Sequence, residues 1–161
     1  MVPATTGSAT VHIAAPPEKI YALVSDVTRM GEWSPETRSC EWLDGATAPG
    51  VGVRFRGTNK RKGSWKTTAT ITAANPGVEF SFAIGKKAPA DPETTWSYRF
   101  VPSGDGTDVT ESFEIVNAPG AIGKWFTKLG TGVAWDDRPA DMENGMRQTL
   151  AHLKTAAETA S

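Results

Sequence analysis

The sequence predicts one α+β domain in which a curved antiparallel β-sheet wraps a long C-terminal helix. Two observations carry that reading. From about residue 36 to about residue 116 apolar side chains recur with period two, and on both sides of this stretch the period becomes helical. The β-like runs are joined by short turn signals, so a meander of sequential antiparallel strands is the economical topology. The alternating face is rich in Thr, Ser, Arg and Lys, as a half-solvated antiparallel sheet requires. At 161 residues and 17.1 kDa the chain has the size of one domain. We expect that domain over residues 8–161, after an extended or disordered tail over residues 1–7.

Each element follows from its own signal. Val11 and Ile13 alternate with Thr10 and His12 in a first strand from Ala9 to Ala14. Pro17 suits a first helical position, and Glu18 favours the positive end of the helix dipole. Ile20, Leu23, Val24 and Val27 follow at helical spacing, until Ser34 is pushed out of helical geometry by Pro35. The β runs are then Cys40 and Trp42; Val51, Val53 and Phe55; Trp65, Ala69 and Ile71; Val78, Phe80, Phe82 and Ile84; Trp96, Tyr98 and Phe100; Val109, Phe113 and Ile115. Asp44-Gly45, Pro49-Gly50, Asn75-Pro76-Gly77 and Ser103-Gly104-Asp105-Gly106 separate several of them. A short helix carries Ile122, Trp125, Phe126 and Leu129. A last helix starts at Pro139 with the stripe Met142, Met146, Leu150, Leu153 and Ala157.

These elements do not fill one another. Six or seven strands spaced about 4.8 Å make a sheet near 30 Å wide, whereas one helix with its side chains is about 10–12 Å across. A sheet curled around that helix leaves an apolar pocket between them. The alternative is that the inward aromatics interlock into a solid core. On the pocket reading Phe55, Trp65, Phe80, Phe82, Trp96, Tyr98 and Phe113 line the sheet side, and Met142, Met146 and Leu150 the helix side.

Four features, taken together, resemble the START-like (SRPBCC, Bet v 1-like) superfamily, in its polyketide cyclase/dehydrase-like branch. They are Ala15-Pro16-Pro17-Glu18 with Leu23-Val24-Ser25-Asp26; Trp33-Ser34-Pro35; Gly52 to Phe55 followed by Gly57, Asn59 and Trp65; and Trp96-Ser97-Tyr98 with Gly106-Thr107-Asp108-Val109-Thr110-Glu111-Ser112. The resemblance covers residues 8–157. It implies the helix-grip fold, with seven strands gripping the C-terminal helix and a ligand cavity between them. Members bind lipids, sterols, hormones or polyketides, and some catalyse cyclisation or dehydration. The resemblance implies no cofactor.

If Phe100 sits opposite Val109 across the Ser103–Gly106 turn, Tyr98 faces Glu111 and Trp96 faces Phe113. Glu111 would then point inward, where desolvation raises a carboxyl pKa and allows acid/base work with Tyr98 as a donor. A slip of one residue would instead send Glu111 to solvent, and an Arg partner would make it a structural ion pair. Trp33 is either a gate to the pocket or a packing anchor. Cys40 has no His partner and reads as a small buried hydrophobe. His12 and His152 lie near opposite ends of the chain without neighbouring ligands, so no metal site is expected.

Seventeen basic and eighteen acidic side chains argue against nucleic acid as a partner. Lys60-Arg61-Lys62 reads as a solvated hairpin tip or as a contact for an anionic head group. One cysteine, no signal-like start and no spanning run point to a cytoplasmic chain without integral membrane association. The expected partner is a small hydrophobic or amphipathic ligand, lipid or polyketide-like, bound by a carrier. An enzyme of the cyclase/dehydratase type is the alternative. A third reading is an interaction module working through Trp125, Phe126 and the 118–135 segment. Oligomeric state is not fixed.

Overall fold

The computed structural model describes residues 5–159, and all statements of absence or number below refer to these. Strand β1 (Thr5–Ile13) is followed by helix α1 (Pro17–Ser25) and a 3-10 turn (Val27–Glu32). Strands β2 (Thr37–Trp42), β3 (Arg54–Lys60), β4 (Ser64–Asn75), β5 (Glu79–Ile84), β6 (Thr94–Ser103) and β7 (Gly106–Ile115) then run in sequence. Helix α2 (Ala121–Thr131), a 3-10 turn (Trp135–Asp137) and helix α3 (Arg138–Thr159) complete the chain. The seven strands form one sheet in the order β1-β7-β6-β5-β4-β3-β2, antiparallel at every pairing. The α+β helix-grip architecture is therefore the one observed, with the long helix on the inner face.

Several boundaries differ from the sequence reading. β1 begins at Thr5, because the backbone pairs with β7 out to Thr5–Ile115 whatever the hydropathy of its small side chains. Of the tail expected over 1–7, residues 1–4 lie outside the described residues and 5–7 belong to this strand. Val51 and Val53 precede β3 in a turn, and Val51 is exposed. The inner face of β3 is instead Phe55, Gly57 and Asn59. Val78, read as part of the fifth run, is exposed in the turn before β5.

The concave side of the sheet is packed in one half and hollow in the other. α1 and the C-terminal half of α3 lie over β1 and the adjoining ends of β5, β6 and β7. There Ile13, Ile20, Val27, Phe80, Val109, Leu150 and Leu153 are fully buried, and Tyr21 meets the edges of Phe80 and Phe100. Thr107 fastens this half by donating its hydroxyl to the Ala15 carbonyl at 2.8 Å. α1 is short because Pro17 opens it and Asp26 leaves helical geometry, its carboxylate capping the 3-10 turn through the Thr28 amide. Two short apolar faces cover only half of a seven-stranded sheet.

Candidate functional site

The uncovered half is a cavity of about 780 Å³, walled by β2 to β7, the 34–37 and 117–119 segments, α2 and the first half of α3. Its walls are mostly apolar. Phe55, Trp65, Phe82, Trp96 and Tyr98 line it from the sheet, with Met142 and Met146 from α3. Phe55 and Phe82 meet edge to face at 5.2 Å between ring centres, so this wall is a braced aromatic surface.

Three residues predicted as lining do not reach the cavity. Phe80 is sealed under Tyr21 in the solid half. Leu150 is buried with it, because the α3 stripe drifts as it descends; Gly145 and Thr149 face the cavity in its place. Phe113 is buried beside Trp96 at 5.5 Å and covers Gly7 on β1. Trp33 is also outside the wall. It is buried, the Arg29 guanidinium lies 5.4 Å over its ring, and its carbonyl accepts from His152 Nδ1 at 3.0 Å. That is the environment of a packing anchor; its neighbours Ser34 and Pro35 are the ones at the cavity edge.

The floor is polar at one point. The β6–β7 register pairs Phe100 with Val109, Tyr98 with Glu111 and Trp96 with Phe113. Tyr98 donates its hydroxyl to Glu111 Oε1 at 2.8 Å, and both side chains are about 95% removed from solvent. Glu111 Oε2 is buried without a hydrogen-bond partner among the described residues. Desolvation pushes the Glu111 pKa up to about 8, with the Tyr98 hydrogen bond pulling the other way. The same burial, with the carboxylate beside it, holds the Tyr98 hydroxyl well above its ordinary value. Both shifts favour the uncharged forms of the pair, a carboxylic acid and a phenol on the cavity wall. Among the described residues no arginine pairs with Glu111, whose one side-chain hydrogen-bond partner is Tyr98, so the ion-pair alternative does not apply.

Two further polar features were not legible as site residues. On the β2–β3–β4 wall Thr37 donates to Asn59 Oδ1 at 3.1 Å, and Asn59 Nδ2 donates to Thr67 Oγ1 at 3.3 Å. Asn59 falls four residues after Phe55 on the same strand face, and that alternation was the available signal. At the rim Arg138 pairs with Glu36 at 2.9 Å and with Asp141, while Arg61 reaches Asp141 at 3.2 Å. Arg138 and Asp141 are an i,i+3 pair at the start of α3, but Glu36 and Arg61 are far from them in sequence and no local pattern joins the set. Cys40 is buried in the wall, its thiol pushed up to about 12 by desolvation, which leaves it unreactive. Among the described residues no group of three or more His, Cys, Asp or Glu could hold a metal.

A single helix gripped by a seven-stranded sheet, with a large apolar cavity and a buried acid at its floor, defines a helix-grip cavity protein. Residues 4–158 match the family described as polyketide cyclase / dehydrase and lipid transport, and the chain belongs to that family. Among solved structures it is similar to the Polyketide_cyc-like protein Cgl2372 from Corynebacterium glutamicum, at 30% identity and a TM-score of 0.54. That alignment covers 99% of this chain and 92% of that one. The di-domain ARO/CYC BexL from the BE-7585A biosynthetic pathway shares the fold at 19% identity and TM-score 0.73, covering 98% of this chain and 51% of that one. Protein CV1439 from Chromobacterium violaceum does so at 17% identity and TM-score 0.68, covering 96% and 97%. No curated protein matches the chain.

Proposed function

We propose that this protein binds a small hydrophobic or amphipathic molecule, lipid or polyketide-like, inside the cavity and acts as its carrier. The observation that supports this best is the cavity itself. Its volume of about 780 Å³ falls within the range of about 300–1,000 Å³ that small-molecule sites occupy. Burial of ligand surface against Phe55, Trp65, Phe82 and Trp96, at about 25 cal/mol per Å², supplies affinity. Tyr98 and Glu111 orient the guest. With its carboxyl protonated, Glu111 has an O–H to offer to an oxygen of the ligand. Native mass spectrometry of the protein purified from its own host tests this. A retained small molecule is expected. No retained mass, with no shift in melting temperature across a panel of lipids and aromatic polyketides, would overturn it.

The enzyme reading has one specific observation in its favour. A carboxyl whose pKa is raised to about 8 exchanges a proton near neutral pH, as a general acid or base must. On this reading Glu111 moves the proton and Tyr98 holds the reacting oxygen. Glu111→Gln would abolish turnover while leaving ligand binding intact. Equal turnover by wild type and Glu111→Gln on any accepted substrate would retire it.

A further inference from the structure

We propose that helix α2 is a docking surface for an anionic lipid bilayer, laid flat against it beside the cavity mouth. The helix is built inside out. Ile122, Trp125, Phe126 and Leu129 recur at i, i+3, i+4 and i+7, which on a helix is one face. That face is open to solvent, its four side chains being 57–74% exposed, with Phe126 and Leu129 along its edge nearest the cavity. The opposite face, turned to the body, carries Gly123, Thr127, Gly130 and Thr131. Thr127 and Thr131 bond their hydroxyls back to the carbonyls of Gly123 and Thr127, at 3.0 and 2.7 Å, so the inward face makes no polar demand on the cavity. A surface helix of a chain surrounded only by water has the reverse arrangement.

Charge selects the occupant. α2 carries Lys124 and Lys128 and no acid. Lys128 is exposed one flank away from the apolar stripe. The basic hairpin tip is fixed to the end of the same helix: the Gly63 amide donates to the Gly130 carbonyl at 2.8 Å, and the Lys62 side chain lies across Gly132. Lys60 and Lys62 are exposed there. Asp136 and Asp137 follow beyond the left-handed turn at Gly132. An apolar stripe with Trp and Phe, flanked by lysines, fits the headgroup boundary of an anionic membrane. A second copy of the chain fits less well. Four side chains offer on the order of 500 Å², below the roughly 800 Å² per partner of a standard interface. Two identical lysine-flanked stripes would also repel. Phe126 and Leu129 belong both to the exposed stripe and to the cavity wall, so a docked α2 sets the cavity mouth at the lipid surface.

The test is co-sedimentation of the full chain with vesicles of phosphatidylcholine, alone or with half phosphatidylglycerol, at low salt. Binding to the anionic vesicles only is expected, and 0.5 M NaCl should weaken it about tenfold. Trp125→Ala with Phe126→Ala, and separately Lys62→Glu with Lys128→Glu, should each lower the partition coefficient at least tenfold. All four side chains are exposed, so circular dichroism and melting temperature should match wild type. Trp125→Phe should retain binding and lose the part of tryptophan quenching that brominated phosphatidylglycerol causes. No sedimentation with anionic vesicles, or sedimentation unaffected by Trp125→Ala with Phe126→Ala, overturns the proposal. A wild-type dimer in light scattering that this double variant converts to monomer, without vesicle binding, assigns the face to a second copy. Vesicle binding does not depend on a cargo, so its outcome is separable from that of the ligand search.

Discussion

The hydroxyl of Tyr98 donates to Oε1 of Glu111 at 2.8 Å across neighbouring strands, at the level where the packed half of the interior gives way to the hollow half. One step along the same hairpin, Phe100 and Val109 are solid core. The acid is therefore desolvated by protein below it and by an apolar space above it, and its second oxygen has no partner among the described residues. That asymmetry is the physical cause of the raised Glu111 pKa.

A carboxyl whose pKa is 4.5 when unfolded and about 8 when folded binds a proton in the native state that the unfolded chain has lost. Stability should therefore fall as pH rises through that window, with a slope approaching ~1.4 kcal/mol per unit. Glu111→Gln keeps an acceptor for Tyr98 and removes the titration. Urea melts should show it close to wild type at pH 5. At pH 8.5 it should be more stable by on the order of 3 kcal/mol. Parallel pH profiles for the two proteins would show that Glu111 is not desolvated.

Tyr98→Phe removes the donor and leaves Oε1 buried and unsatisfied. A loss of about 1–3 kcal/mol is expected in equilibrium unfolding. Because the Tyr98 hydrogen bond lowers the Glu111 pKa, the carboxyl midpoint should move further up in the variant. Carbon-13 NMR of the Glu111 carboxyl reads that shift directly, and a midpoint moving down would contradict it.

Truncations along α3 should separate the two halves of the interior. Leu150 is 1% exposed among solid neighbours, so Leu150→Ala should cost about 2–5 kcal/mol. Met142 is half-buried on the cavity wall, where much of its surface already lacks protein contacts. Met142→Ala should cost less than about 1.5 kcal/mol in the unliganded protein. Chemical denaturation of both variants makes the comparison, and equal losses would mean that the cavity half is as tightly packed as the other.

Two glycines should respond to alanine with opposite sign. Gly145 sits inside α3, and a Cβ there would meet Pro35 at an ordinary 3.7 Å. Gly145→Ala should stabilise by about 0.5–1 kcal/mol through helix propensity. At Gly7 a Cβ would stand 2.6 Å from the ring of Phe113, its cross-strand partner, which is itself pinned against Trp96. Gly7→Ala should therefore destabilise by about 1–3 kcal/mol. Thermal melts at one pH suffice for both.

What the sequence determined by itself was local or periodic. The switch of apolar period from two to 3.6 set the strands, the helices and the helix-grip class, and short turns dictated an antiparallel meander. The Ser103–Gly106 turn suggested the register that pairs Tyr98 with Glu111, but the sequence left a one-residue slip open, and the observed β6–β7 pairing decided it. Tertiary structure decided which part of a uniformly aromatic sheet face would be covered. Phe80 and Phe82 differ by two residues and share a face, yet α1 seals one and leaves the other on a cavity wall. Only the tertiary placement of the start of α3 beside the β3–β4 turn brings Glu36 and Arg61 to the Arg138–Asp141 pair. The spacing of Ile122, Trp125, Phe126 and Leu129 declared a helix face without saying whether it looked in or out. Periodicity records which residues share a face, and what a face meets depends on where the rest of the chain happens to lie.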